Sequence, residues 1–319
     1  MNDQRSAAGA AAAAVPEAIS DVGGAAGPVP PKGRRAALAP IALVVAGGIS
    51  VQFGSAVAVL LMPRAGALGV VTLRLAVAAL VMLIVCRPKL RGYTRAEWGT
   101  VLAFGAAMGG MNTLFYLAVD RIPLGAAVTL EVLGPLALSV IASRRLVNVV
   151  WAGLALGGVV LLAGGGFDHL DPVGAAYALG AGVMWATYIV FSARTGRRFP
   201  QADGLALALV VAALLSLPLG IMESGSKLLV PSTLGLGAAV AVLSSVLPYT
   251  LELMALRRLP APTFAVLMSL EPAIAAAAGF LVLDQALTTT DALAIALVIG
   301  ASMGAVRSQA RRAGPRERT

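Results

Sequence analysis

Residues 117–135 read LAVDRIPLGAAVTLEVLGP, and residues 254–272 read MALRRLPAPTFAVLMSLEP. Slid by 137 positions, the two stretches align without a gap. Ala118 meets Ala255, Arg121 meets Arg258, Pro123 meets Pro260, Leu130 meets Leu267, Leu133 meets Leu270 and Pro135 meets Pro272, six identities in 19 columns. The apolar parts, AVTLEVLGPLAL (127–138) and LMSLEPAIAA (267–276), each carry one acid near a proline. Glu131 lies four residues before Pro135, and Glu271 lies immediately before Pro272. The acids are related but not equivalent, because Glu131 stands three residues, about one helical turn, ahead of the column of Glu271. A charge in hydrocarbon costs about 2.5–3.5 kcal/mol on insertion scales, so an intramembrane acid marks a functional group by default.

Working outward, the 319-residue chain is 59% hydrophobic and only 12% charged. A soluble domain is about 25% charged, so this composition predicts a membrane protein. Apolar runs of about 20 residues span a bilayer as helix. Ten are present, near 38–62, 66–86, 97–118, 122–143, 147–165, 172–193, 203–222, 234–256, 261–283 and 289–307. With the N-terminus placed in the cytoplasm, 20 of the 24 Lys and Arg residues fall in cytoplasmic segments. Three, Arg64, Arg121 and Lys227, fall outside, and Arg74 lies within a span. That asymmetry predicts ten spans with both termini cytoplasmic. The outer loops carry acids instead: Asp120, Asp168, Asp171, Glu223, Asp284 and Asp291.

Five spans per half is an odd number, so the repeat predicts two inverted five-helix units, 36–165 and 172–307, with spans four and nine facing each other across the cavity. The expected fold is an all-α integral membrane protein. Residues 1–35 are rich in Ala, Gly and Pro and read as a disordered cytoplasmic tail, without the compact apolar core of a signal peptide. Residues 308–319 read as a basic cytoplasmic tail.

Several function classes lack material. The net charge of +9 would point to nucleic acid in a soluble chain, but here the basic residues lie between apolar runs. Cys86 is the one cysteine, which excludes an intramolecular disulfide. His169 is the one histidine; flanked by Asp168 and Asp171, it reads as a solvated loop residue rather than a metal ligand. No Gly-rich phosphate loop, HExxH or CxxC motif occurs, so no cofactor and no enzyme chemistry is expected. Paired midplane acids beside prolines favour a secondary transporter over a channel.

The strings IPLGAAVTLEVLGPLA (122–137), SSVLPYTLELMALRRLP (244–260) and LMSLEPAIAA (267–276) resemble the threonine/homoserine exporter branch of the drug/metabolite transporter superfamily, with its paired EamA-type domains. The likeness runs over about 36–307. It implies a bacterial inner-membrane exporter of small neutral amino acids, driven by exchange for protons. The duplicated plan by itself also fits an exporter of another metabolite or drug. One departure is Val132, where the resemblance implies an aromatic residue; it bears on pocket size and so on cargo.

Within that frame the candidate site residues take roles. Glu131 lies about 12 Å and Glu271 about 15 Å inside their spans at 1.5 Å per residue. Both can exchange a proton for a cationic substrate group, or serve as helix-joining ion pairs. Arg74 offers a permanently charged planar fork. It can hold a substrate carboxylate, pair with Glu131, or snorkel to the outer face. Ser245, Tyr249 and Glu252 follow i, i+4, i+7 and share a stripe that suggests a wet wall. Glu252 is also near enough to Arg257 and Arg258 for an interfacial ion pair. Asn112 is a further substrate-binding candidate, with Gln52, Tyr116, Trp185 and Tyr188 weaker ones that also suit helix-to-helix packing. Pro135, Pro248 and Pro272 are expected inside spans, where each removes a backbone donor and kinks the helix. Glycine pairs such as Gly109–Gly110 and Gly157–Gly158 are expected to allow close helix contact.

Overall fold

The computed structural model describes residues 34–143, 146–164, 170–196, 198–199, 203–256, 264 and 267–313. Residues 1–33 and 314–319 of the expected tails, Arg144, Arg145, Asp168, His169, Arg197, Arg257 and Arg258 lie outside the described residues. Among the described residues there are helices and connecting turns and no strand.

The first continuous helical stretch, Arg34–Cys86, is two helices, because Gly66 interrupts it with φ 61° and ψ 169°. These are α1 (34–65) and α2 (67–86). A glycine is needed at this reversal, since φ in that region strains other residues. There follow α3 (Arg95–Val119), α4 (Leu124–Glu131), α5 (Leu133–Ser143), α6 (Leu146–Gly164), α7 (Pro172–Gly196) and α8 (Asp203–Ser224). Then come α9 (Pro231–Ala241), a π turn at Val242–Val246, α10 (Leu247–Leu256), α11 (Glu271–Leu283) and α12 (Thr289–Ala313).

Five stretches are long and apolar enough to cross a membrane by length and composition: Ala39–Cys86, Arg95–Val119, Pro172–Gly196, Asp203–Leu229 and Thr289–Arg307. Shorter apolar helices cover Leu124–Leu138, Val150–Leu162, Pro231–Val246 and Glu271–Leu283. Three of these four shorter ones belong to predicted spans that carry Pro135, Pro248 or Pro272.

Packing centres on α4, whose residues from Leu124 to Glu131 are all buried. A helix that is apolar all round belongs in an interior. It touches α11, where a Cβ on Gly125 would stand 2.9 Å from the Cα of Ala276. Spans four and nine, expected to face each other across a cavity, are here in direct helix contact at Gly125 and Ala276. Elsewhere α3 packs on α7 and α8, α12 packs on α6, and α1 and α2 together pack on α8 and α9.

Polar clasps join the loops at one end of the bundle. The Glu223 carboxylate accepts from the backbone N–H groups of Leu68 (2.8 Å) and Gly69 (3.1 Å), capping the N-terminus of α2. Beside it the Ser224 hydroxyl donates to the Ala65 carbonyl. Gln285 accepts from Leu124 N–H at 3.1 Å. Arg121 donates to Asp171 at 3.0 Å, and Asp171 also accepts from Val173 N–H at 2.9 Å. The Val173 N–H and then the Arg121 guanidinium hold the Asp171 carboxyl below the usual aspartate range. A lowered folded value means this contribution is present above the usual aspartate range and is lost as pH falls through the lowered one.

Candidate functional site

The site begins with a backbone defect. A helix returns the N–H of residue i to the carbonyl of residue i−4. Pro248 has no N–H, so the Ser244 carbonyl loses its expected partner. The chain there widens into the π turn of Val242–Val246, with Leu247 N–H reaching back to Val242. π turns of this kind recur at functional sites. The Ser244 hydroxyl folds back to the Val240 carbonyl at 2.6 Å, which leaves its own carbonyl facing the interior.

Arg74, on α2, meets that carbonyl. Its Nη2 donates to Ser244 O at 3.0 Å, its Nε to Ser245 Oγ at 3.3 Å, and its Nη1 to Tyr116 Oη at 3.1 Å. The guanidinium carbon also stands 5.6 Å from the centre of the Tyr116 ring. Of the three uses the sequence leaves open, these bonds speak against snorkelling and against a directly hydrogen-bonded pair with Glu131. Arg74 does not snorkel outward, and its hydrogen bonds run to α3 and the π turn rather than to Glu131. Tyr116, a weak candidate in the sequence, is wholly buried and central.

Glu131 is the last residue of α4, and the backbone stays helical through Val132, whose N–H donates to Val128 O at 3.0 Å and whose carbonyl accepts from Leu136 N–H at 3.2 Å. Its backbone carbonyl loses its partner to Pro135 for the same reason that Ser244 loses its own. Gly182 of α7 lies against it, where a Cβ would come within 2.6 Å of that carbonyl oxygen. Gly134 completes the contact, since a Cβ on it would overlap the Gly182 carbonyl. The Glu131 side chain is 8% exposed and makes no hydrogen bond to a described residue; the charge that reaches it is that of Arg74.

Glu271 is buried as well and does not stand alone. It is the first residue of α11, after a turn at Ser269 and Leu270. Pro272 is thus in the first turn of a helix and not within one, which corrects the expected mid-helix kink. Proline suits that position because the first N–H groups of a helix have no helical acceptor. A carboxylate there also faces the positive end of the helix dipole. The turn at Ser269 lies in the column aligned with Val132, where α4 gives way to α5 with the backbone still helical, three residues before the aligned prolines.

The other candidates divide. Asn112 is buried, and its amide donates to Met108 O at 2.9 Å in its own helix, so this donor is used locally. Gln52 is 3% exposed, and its side-chain oxygen has no hydrogen-bond partner. Tyr188 packs its ring 5.1 Å from that of Phe104, and Trp185 packs against the core. Of the stripe Ser245–Tyr249–Glu252, Ser245 is joined to Arg74; the side chains of Tyr249 and Glu252 lie outside those described. The Ser244 carbonyl is the group missed by residue-type reasoning. Its signal was Pro248, four residues on, read only as a kink.

Comparison with known proteins places this geometry in a family context. Residues 172–307 match the EamA-like transporter family. The chain is 43% identical over 267 residues to the threonine/homoserine exporter RhtA of Escherichia coli (strain K12), covering 83% of this chain and 90% of that protein. It has the same identity and coverage with the threonine/homoserine exporter RhtA of Salmonella typhimurium (strain SL1344). A solved structure, named only as a crystal structure of protein, superposes with a TM-score of 0.54 at 20% identity over 86% of this chain and 99% of the other, which shows a shared fold.

Proposed function

The chain belongs to the EamA-like transporter family, and from that premise we propose that it exports small neutral amino acids, threonine and homoserine among them, in exchange for protons across a bacterial inner membrane. The carrying observation is a basic and an acidic residue inside the bundle that share no hydrogen bond. Arg74 is bonded to Tyr116, Ser244 and Ser245, while Glu131 has no hydrogen bond to a described residue. A buried charge is costly unless paired. An amino acid is a zwitterion whose carboxylate suits Arg74 and whose ammonium suits Glu131. Glu271 takes part in proton uptake, and Asn112, Tyr249 and Glu252 belong to the cavity wall. The names of the relatives support the cargo.

We read the architecture as ten spans in two inverted units, 36–165 and 172–307, with both tails cytoplasmic. Two observations support this. The turn at Ser269 falls in the column aligned with Val132, where α4 gives way to α5. The packing pairs also exchange under a two-fold: Ser50 of α1 on Leu243 of the π turn matches Gly110 of α3 on Met184 of α7, and Gly48 of α1 on Ile274 of α11 matches Gly134 of α5 on Gly182 of α7. Pro135, Pro248 and Pro272 are where alternating access bends the bundle.

The test is export by bacterial cells that lack their own amino-acid exporters, loaded with a threonine dipeptide. Threonine and homoserine are expected to leave faster than from cells with empty vector, and Arg74→Ala is expected to return efflux to the vector level at matched membrane abundance. Efflux of wild type no faster than vector would discard this cargo.

Pro248→Ala separates stability from transport. Alanine supplies the N–H that Ser244 O lacks, and relief of an interior proline is worth about 3 kcal/mol on helix propensity. Thermal unfolding of the purified protein is expected to shift upward while export falls, because Ser244 O turns from Arg74 to its own helix. A lower unfolding temperature would show that the π turn is needed for packing instead.

A further inference from the structure

A guanidinium has five N–H groups and no acceptor. In Arg74 three are in use: Nε–H on Ser245 Oγ, one Nη1–H on Tyr116 Oη, and one Nη2–H on the Ser244 carbonyl. Among the described residues the other two, one on each terminal nitrogen, meet no acceptor. A carboxylate has two oxygens that accept such a pair in parallel. A primary amide has one acceptor and turns a donor toward the second N–H. The groups that leave this pair free come from outside α2. Tyr116, on α3, is wholly buried, with Phe115 packed edge-on at 5.5 Å, so its hydroxyl is held in place. Ser245 is 4% exposed and lies in the π turn beside the carbonyl that Pro248 leaves unpaired.

We infer that Tyr116 and Ser245 are positioning residues that aim Arg74, and that this aim gives the transporter its preference for a carboxylate over the corresponding amide. The inference rests on the reading that the cargo is an amino acid. A guanidinium without these partners keeps its charge but must give up rotamer freedom each time it binds. Charge alone would still attract an anion, whereas the discrimination between acid and amide depends on two N–H groups held in a fixed direction.

The test uses the full chain in proteoliposomes, with labelled threonine and threoninamide as paired cargos. Tyr116→Phe and Ser245→Ala are each expected to raise the KM for threonine about tenfold, the scale of one hydrogen bond to a charged group. Turnover is expected to stay within about twofold, as for a loss of uniform binding, and the preference for threonine over threoninamide to collapse. Ser245→Thr keeps the hydroxyl and is expected to keep the preference. An unchanged KM, or equal losses on both cargos, would make these packing residues and overturn the inference. If wild type moves neither cargo, the amino-acid reading fails separately. Thermal unfolding of the purified protein with lactate and with lactamide then decides the inference. Stabilisation by lactate alone, lost in Tyr116→Phe, upholds it, and no difference between the two in wild type overturns it.

Discussion

Glu131→Gln is expected to uncouple export from the proton gradient. In proteoliposomes, wild-type export should quicken when the side receiving the cargo is made more acidic, because a proton returns as each substrate leaves. The glutamine variant keeps the shape of the side chain but neither binds a proton nor presents a negative charge to an ammonium. Its rate should fall by about 10- to 150-fold, the worth of one hydrogen bond between charged groups, and the remainder should be flat across pH. The structure gives a reason to expect little loss of folding, since the Glu131 carboxyl makes no hydrogen bond to a described residue that the amide would break. A variant that still follows the gradient would move proton coupling to Glu271 or remove it from the mechanism.

Gly134→Ala is expected to be the most disruptive single methyl in the bundle. The added carbon would overlap the backbone carbonyl of Gly182, and the reciprocal carbon on Gly182 would come within 2.6 Å of the Glu131 carbonyl oxygen. Backbone on both sides cannot rotate away as a side chain can. Overpacking of this kind costs about 1–3 kcal/mol, and more where neighbours are rigid. The separation of α5 from α7 would also displace Glu131, whose carbonyl faces Gly182. Thermal unfolding at a markedly lower temperature, together with lost export, is the expected result. Gly157→Ala is the contrast: open space surrounds that position, and replacing glycine within a helix is favourable by about 0.5–1 kcal/mol. Equal behaviour of the two variants would refute the close contact of α5 and α7.

Much of the site was legible as residue type and little of it as partnership. Glu131, Glu271 and Arg74 declare themselves because ionisable groups are rare in apolar runs. The prolines declare a backbone defect, but not its form. Pro135 lies in a helical run whose ladder continues through Val132, whereas Pro272 follows a turn at Ser269 and Leu270 and opens a new helix. Pro248 produces a π turn whose importance lies in the carbonyl of Ser244, a group that no side-chain inventory contains. Asn112 had the right chemistry and the right depth, yet its amide is bonded within its own helix.

The sequence by itself determined the membrane class, the positions of the apolar segments and the presence of matched acid–proline stretches in two halves. These are one-dimensional properties: hydropathy along the chain, the asymmetry of Lys and Arg, and residue types at a fixed spacing. Only the tertiary structure decided that Arg74 is held by Tyr116 and the Ser244 carbonyl, that Gly134 meets Gly182, and that Gly125 brings α4 against α11. Those choices depend on which helix faces lie together across separations of 42 to 171 residues for the partners of Arg74. In a chain where nearly every face is apolar, many pairings bury the same kind of surface. The close fit of small residues and the few interior hydrogen bonds then select among them.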